Sequence, residues 1–173
     1  LWSDLTNAYV WYALLIMLGY GLIGFADDYL KLTKRNTKGL PGRVKILGQI
    51  FFGALATIGI MHALPDHLST TVAPPFFKDV LLNLSWFFLP WSLLVIIGAS
   101  NAVNLTDGLD GLAIVPVAIA AGCFGLIAYL VGRVDYSGYL YLHNVPGTAE
   151  LAIICGALIG GAMGFLWYNA PPA

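Results

Sequence analysis

Two adjacent carboxylates, Asp27 and Asp28, open a segment that also holds Lys31, Lys34, Arg35, Lys38, Arg43 and Lys45, six of the eight Lys and Arg residues in the chain. Neighbouring carboxylates can hold Mg2+ through water and phosphate bridges, because Mg2+ keeps several waters and takes few protein carboxylates. They can equally form an interfacial salt-bridged cap, since Lys31 lies four and three residues beyond them, at the spacing of a helical ion pair. A second polar cluster, Asn101-Ala-Val-Asn104-Leu-Thr-Asp107-Gly-Leu-Asp110-Gly, interrupts apolar sequence further on. Its amides and carboxylates recur every three residues, so a regular helix, drifting about 60° per step, would spread them over half its cylinder. Gly108 and Gly111 argue instead for a tight turn that aims these side chains at one ligand, and a polar connector with Asx capping is the plainer alternative. Cations facing acidic groups suit a phosphate-rich substrate, because Lys and Arg neutralise oxygens that a metal does not reach. Taken together, the chemistry these residues permit is metal-assisted phosphoryl transfer.

The elements that must position them are membrane helices. The chain is 59% hydrophobic and only 10% charged, against about 25% charged residues in soluble domains, and its mean hydropathy is +0.81. Five apolar stretches approach or reach the roughly 20 residues that cross a hydrocarbon core as helix: Tyr9–Ala26, Ile46–Leu64, Leu84–Val103, Leu112–Gly132 and Glu150–Tyr168. The expected fold class is therefore all-α, a polytopic helical membrane protein forming one integral-membrane domain. Too little polar sequence remains to coat five buried helices in water. No basic segment precedes the first stretch, so it does not read as a cleaved signal peptide.

Charge orients the spans. Short loops rich in Lys and Arg stay in the cytoplasm, which places loop 27–45 inside; alternation then puts 65–83 outside, 104–111 inside, 133–149 outside and the tail from Asn169 inside. The outer loops carry only Lys78 and Arg133 among their basic residues. Asp27-Asp28, the basic loop, the Asn/Asp cluster and Asn169 thus fall on one face. Carboxylates beside the hydrocarbon layer are costly and mark a site. Much of the basic loop is also explained by topology and by attraction to anionic lipid.

Gly156, Gly160 and Gly164, spaced by four, predict a small-residue face for close helix approach. Pro90 and Pro116 are expected to bend or loosen spans three and four. The outer loops, rich in Pro, Gly and Tyr, are expected to hold short extended structure. Cys123 and Cys155 fall inside spans without metal-ligand spacing and read as small apolar packing residues. His62, His67 and His143 receive no role. The chain begins at Leu1 without an initiator Met and stops at Ala173, which is expected of a fragment of a larger membrane protein.

Several segments are familiar. Gly24-Phe-Ala-Asp-Asp-Tyr-Leu-Lys31, Thr37-Lys-Gly-Leu40, Pro75-Phe-Phe-Lys-Asp-Val80, Asn101-Ala-Val-Asn-Leu-Thr-Asp-Gly-Leu-Asp-Gly-Leu-Ala113 and Phe165-Leu-Trp-Tyr-Asn169 resemble the bacterial phospho-N-acetylmuramoyl-pentapeptide transferase family. The resemblance runs through essentially the whole chain. It implies transfer of phospho-MurNAc-pentapeptide from UDP-MurNAc-pentapeptide to undecaprenyl phosphate, with release of UMP and formation of lipid I in peptidoglycan synthesis. It also implies Mg2+ as cofactor, a bacterial inner (cytoplasmic) membrane location with a cytoplasmic site, and the lipid bilayer as surroundings. A homodimer is compatible with it, and no nucleic-acid partner is expected. Carried over by position, Asp27 is the implied base or orienter for the lipid phosphate, with Asp28 beside it at the metal-phosphate centre. Asn104 is an implied metal ligand, alongside Asp28. Asp107 and Asp110 would contact the nucleotide end, Lys31 and Lys45 would hold phosphates, and Asn101 and Asn169 would make secondary substrate contacts. A lipid phosphate near neutral pH is already largely ionised, so a strong base is not required of Asp27.

The departure is length. The family has about ten spans, and after the position of Asn169 it continues into a Met-Gly-Asp segment whose Asp is a principal Mg2+ ligand, then a His-rich loop. The 173-residue polypeptide alone is accordingly expected to be inactive. Two rivals remain: a related polyprenyl-phosphate N-acetylhexosamine-1-phosphate transferase, and a membrane transporter. A transporter should place ionisable residues at mid-membrane, whereas here they gather at span ends.

Overall fold

The structure, a computed structural model, describes residues 2–34, 39–74, 77, 80–106 and 112–169. Its elements in chain order are α1 (Ala8–Lys34), α2 (Gly42–Ala63), two short strands β1 (Thr71–Val72) and β2 (Leu82–Asn83), α3 (Phe88–Thr106), α4 (Ile114–Val131), α5 (Val134–Tyr139) and α6 (Leu151–Asn169). Five helices are long and apolar enough to cross a membrane: Ala8–Thr33, Gly42–Ala63, Ser85–Thr106, Ile114–Val131 and Thr148–Asn169. The all-α expectation holds, with β1 and β2 paired in a two-stranded sheet.

Local chemistry sets the helix ends. The Asn7 side chain accepts the Tyr9 N–H at 2.9 Å, satisfying one of the donors that the first turn of α1 leaves without an intrahelical partner. At its other end α1 overruns the expected boundary at Ala26 and continues through both aspartates to Lys34. The two carboxylates do not break the helix because Lys31, one turn on, pairs with both of them. Pro41 precedes α2, where a missing N–H costs nothing, and its carbonyl accepts from Val44 and Lys45 at 2.9 and 3.2 Å. Leu64 at the far end is extended, as expected of a residue before proline.

Pro90 and Pro116 each occupy the third position of their helices, α3 and α4. In a first turn proline removes no intrahelical bond, so the expected loosening does not apply at Pro116, whereas Pro90 follows a 3-10 turn, Ser85–Phe87, that runs directly into α3. The first outer loop contributes the expected extended pair, but the second folds into the short helix α5 instead.

The chain forms two compact units. One comprises Trp11–Thr71 and Asn83–Gly98. Within it α1 packs on α2 through glycines: a Cβ at Gly19 would run into the Phe52 ring, one at Gly59 into Tyr12, and one at Gly48 would lie 2.9 Å from Ile23 Cδ1. The Tyr20 hydroxyl crosses the same seam and donates to the Gln49 carbonyl at 3.0 Å. Leu18, Leu22 and Phe25 on α1 are exposed, as suits side chains bathed in lipid.

The other unit comprises Leu1–Val10, Val72–Leu82 and Ala99–Ala173. Here α4 meets α6 where a Cβ on Gly125 would lie 2.9 Å from Cys155 Cβ. The seam therefore uses a glycine of α4 against a cysteine of α6. Ideal Cβ atoms at Gly156, Gly160 and Gly164 meet nothing within 4 Å, so among the described residues the predicted glycine face has no helix against it. The segment before α6 is tied back to α4 by Asn144 Nδ2, which donates to the Val131 carbonyl at 2.9 Å, and by the Val145 amide, which donates to the same oxygen at 3.1 Å. The start of the chain is latched onto this segment. Ser3 Oγ and the Asp4 amide donate to Glu150 Oε2 at 3.1 and 2.9 Å, and Asn7 Nδ2 donates to the Gly147 carbonyl at 2.7 Å. Gly147 has φ +89°, a left-handed conformation that residues with a Cβ adopt at a cost.

Candidate active site

The site is built at the end of α1. Successive helical residues point about 100° apart, and the two aspartates are accordingly divided: Asp27 is buried, 5% exposed, while the Asp28 side chain is 74% exposed. Lys31 lies within reach of both, its Nζ 2.7 Å from Asp27 Oδ2 and 3.0 Å from Asp28 Oδ1. Lys45, in the first turn of α2, brings a second ammonium to within 2.7 Å of the same Asp27 Oδ2. The other Asp27 oxygen, Oδ1, accepts the Leu40 backbone N–H at 2.7 Å. One buried carboxylate thus holds two cations and the chain segment leading into α2.

Electrostatically the arrangement is an anion compensated by two cations and an aligned amide dipole, which is what a carboxylate at so low an exposure requires. The ammoniums are not consumed by it. The Lys31 and Lys45 side chains are 42% and 28% exposed, and each ammonium has three N–H donors, so both retain capacity to bind an anion.

The structure therefore brings together Asp27, Asp28, Lys31 and Lys45. Asn101 and Asn104 lie on the last turns of α3, with Asn104 exposed and Asn101 half-buried, and Asn169 is the last residue of α6. These three belong to the second compact unit. Both asparagines of α3 stand on regular helix, which persists through Thr106, and the Thr106 hydroxyl donates to the Ala102 carbonyl at 2.9 Å. Asp107 and Asp110, together with the turn expected at Gly108 and Gly111, lie outside the described residues, as do Arg35 and Lys38.

Gly39 and Leu40 stand in the segment Thr37-Lys-Gly-Leu40 and offer no side chain that sequence reasoning would single out. Their part is backbone: Leu40 supplies an N–H, and Gly39 lies so close to Asp27 that a Cβ there would run into Oδ1. The only signal for this in the sequence is a glycine two residues before Pro41, which marks a turn but not its contact.

The donor set bears on Mg2+. Asp27 is poorly suited to a cation, because both of its oxygens already face positive charge or an N–H. Asp28 is suited: its carboxylate is exposed and carries a single ammonium contact. Among the described residues no group of three or more His, Cys, Asp or Glu is gathered for a metal. An exposed carboxylate such as that of Asp28 is the kind of ligand Mg2+ takes, alongside water and phosphate oxygens.

Residues 10–173 match glycosyl transferase family 4. The chain is also 64% identical over 173 residues to a phospho-N-acetylmuramoyl-pentapeptide-transferase of Granulibacter bethesdensis, an alignment that covers 100% of this chain and 48% of that protein. The chain thus spans about half the length of the curated relative it matches. With five helices apolar enough to span a membrane, a paired-aspartate cluster at a helix end and a family match over nearly its full length, the chain is a multi-pass membrane protein belonging to glycosyl transferase family 4.

Proposed function

We propose that this chain works as the central part of a transferase of its relative's length, moving phospho-MurNAc-pentapeptide from UDP-MurNAc-pentapeptide to undecaprenyl phosphate and releasing UMP. The observation that carries the reading is the 64% identity, along the whole chain, to a protein named for that transfer. The Asp27 cluster supports it chemically, because phosphoryl transfer depends on positioning and on neutralising oxygen charge.

In this reading Lys31 and Lys45 donate to phosphate oxygens while Asp27 keeps both ammoniums in place. Asp28 and Asn104 are the residues that would hold Mg2+, which when bound neutralises phosphate oxygens and polarises the phosphoryl group. Asp107 and Asp110 contact the nucleotide end, and Asn101 and Asn169 make secondary contacts. The site faces the cytoplasm of a bacterial cell, where the basic segment before α2 is retained by its charge.

The test uses a protein of the relative's length that carries this sequence, purified in detergent. UMP release should require UDP-MurNAc-pentapeptide, undecaprenyl phosphate and Mg2+ together, and the 173-residue chain alone should release none. Asp28→Ala and Asn104→Ala should each lower kcat by about 100-fold without loss of folded protein. Near-parental rates in both variants would overturn the metal assignment, and turnover of UDP-GlcNAc instead would reassign the donor sugar.

A further inference from the structure

Asp27 is the most constrained side chain in the candidate site, and part of its constraint comes from residues without a functional side chain. Its Oδ2 lies 2.7 Å from both Lys31 Nζ and Lys45 Nζ. Its second oxygen, Oδ1, is held as well. The Leu40 amide holds it, at 2.7 Å. This amide comes close enough because Gly39, just before it, has no side chain: an ideal Cβ there would overlap Asp27 Oδ1, sit 2.8 Å from Asp27 Cγ and 2.9 Å from Lys31 Cε. Real Cβ atoms do not approach to such distances, so any substituent would displace the carboxylate, the Lys31 stem or the backbone.

We propose that Gly39 and Leu40 are positioning residues for phosphoryl transfer: the bare Gly39 backbone and the Leu40 N–H fix the Asp27 carboxylate in the orientation from which its other oxygen gathers Lys31 and Lys45 toward the phosphates. The proposal rests on the transferase reading above. It assigns Asp27 the work of arranging two cations rather than that of taking a proton. Both of its oxygens are already engaged by donors. The effect of Gly39 reaches substrate only through Asp27, so neither Gly39 nor Leu40 touches a reacting atom.

The experiment uses the protein of full relative length. In the parent, the Leu40 amide should exchange with solvent deuterium about tenfold or more slowly than in Asp27→Ala, as expected for an amide bonded to a carboxylate. In turnover assays Gly39→Ala, which introduces the excluded Cβ, and Leu40→Pro, which deletes the N–H, should each lower kcat by about tenfold or more. Leu40→Ala, which keeps the N–H, should retain the parental kcat within about threefold. A merely structural role for this segment would not separate Leu40→Pro from Leu40→Ala in kcat at equal folded fraction. Equal Leu40 exchange in the parent and Asp27→Ala, or parental kcat in both Gly39→Ala and Leu40→Pro, would overturn the proposal. A parent that releases no UMP would overturn the transferase reading instead, while the exchange comparison, which needs no turnover, still decides whether Leu40 holds Asp27.

Discussion

Removing the Lys45 ammonium should destabilise the protein more than removing that of Lys31, although both lie at the same distance from the same oxygen. Lys31 sits on the same helix as Asp27, four residues on, and its side chain is 42% exposed. Its ammonium end is screened by water, so Lys31→Met should cost less than Lys45→Met. Lys45 reaches across from α2, and its side chain is 28% exposed against 8% for Asp27. Breaking a fully buried pair costs about 3–5 kcal/mol. Here the Lys45 end remains partly in water and Asp27 keeps Lys31 and the Leu40 amide, which brings the figure for Lys45→Met to about 2 kcal/mol. That corresponds to about a 30-fold shift in the folding equilibrium. Asp27→Ala, which strands two cations and an amide at once, should exceed either. The measurement is equilibrium unfolding in mixed micelles of a mild detergent and dodecyl sulfate, followed by tryptophan fluorescence. If Lys31→Met costs as much as Lys45→Met, the ion pair between α1 and α2 adds nothing beyond an exposed pair within one helix, and the reasoning fails.

Two glycines in different surroundings offer a further contrast. Gly125→Leu should cost about 1–3 kcal/mol by forcing α4 off Cys155, whereas Gly160→Ala, with open space around it, should be neutral or stabilising by up to about 1 kcal/mol. The same unfolding assay reads both, and equal effects would contradict the seam between α4 and α6. Tyr20→Phe removes the hydroxyl donated to the Gln49 carbonyl and should cost about 1 kcal/mol, with an unchanged stability placing that bond outside the energetics. Pro116→Ala should leave stability within about 0.5 kcal/mol of the parent, since the ring occupies a first turn; a change several times larger would mean that this proline shapes the helix after all.

The membrane helices are legible in the sequence because hydrophobic length is a property of sequence alone, and the pairing of Lys31 with Asp27 and Asp28 is legible because helical spacing determines it. Helix ends are less so. The charged pair at Asp27 and Asp28 reads as a boundary, yet a cation one turn later lets the helix carry both charges onward to Lys34. The Gly156, Gly160 and Gly164 pattern identifies a surface able to accept a close neighbour without identifying the neighbour, and α4 contacts α6 elsewhere, at Cys155. Lys45 joins the site in sequence only through family resemblance, because its separation from Asp27 along the chain carries no geometry of its own. Gly39 and Leu40 are out of reach for a related reason: a contact made by a backbone N–H leaves almost no mark on side-chain chemistry.

The hydrogen bonds from Ser3 and Asp4 to Glu150 carry a consequence for the order of synthesis. Their partners are 147 and 146 residues apart in the chain. At about 5–20 residues per second, Ser3 is made roughly 7–30 s before Glu150 exists. During that interval α1 must enter the membrane with Ser3 and Asp4 lacking this partner, and the latch can close only once Glu150, at the approach to α6, has been made. Closure of this contact therefore comes after synthesis of every helix from α1 to α5.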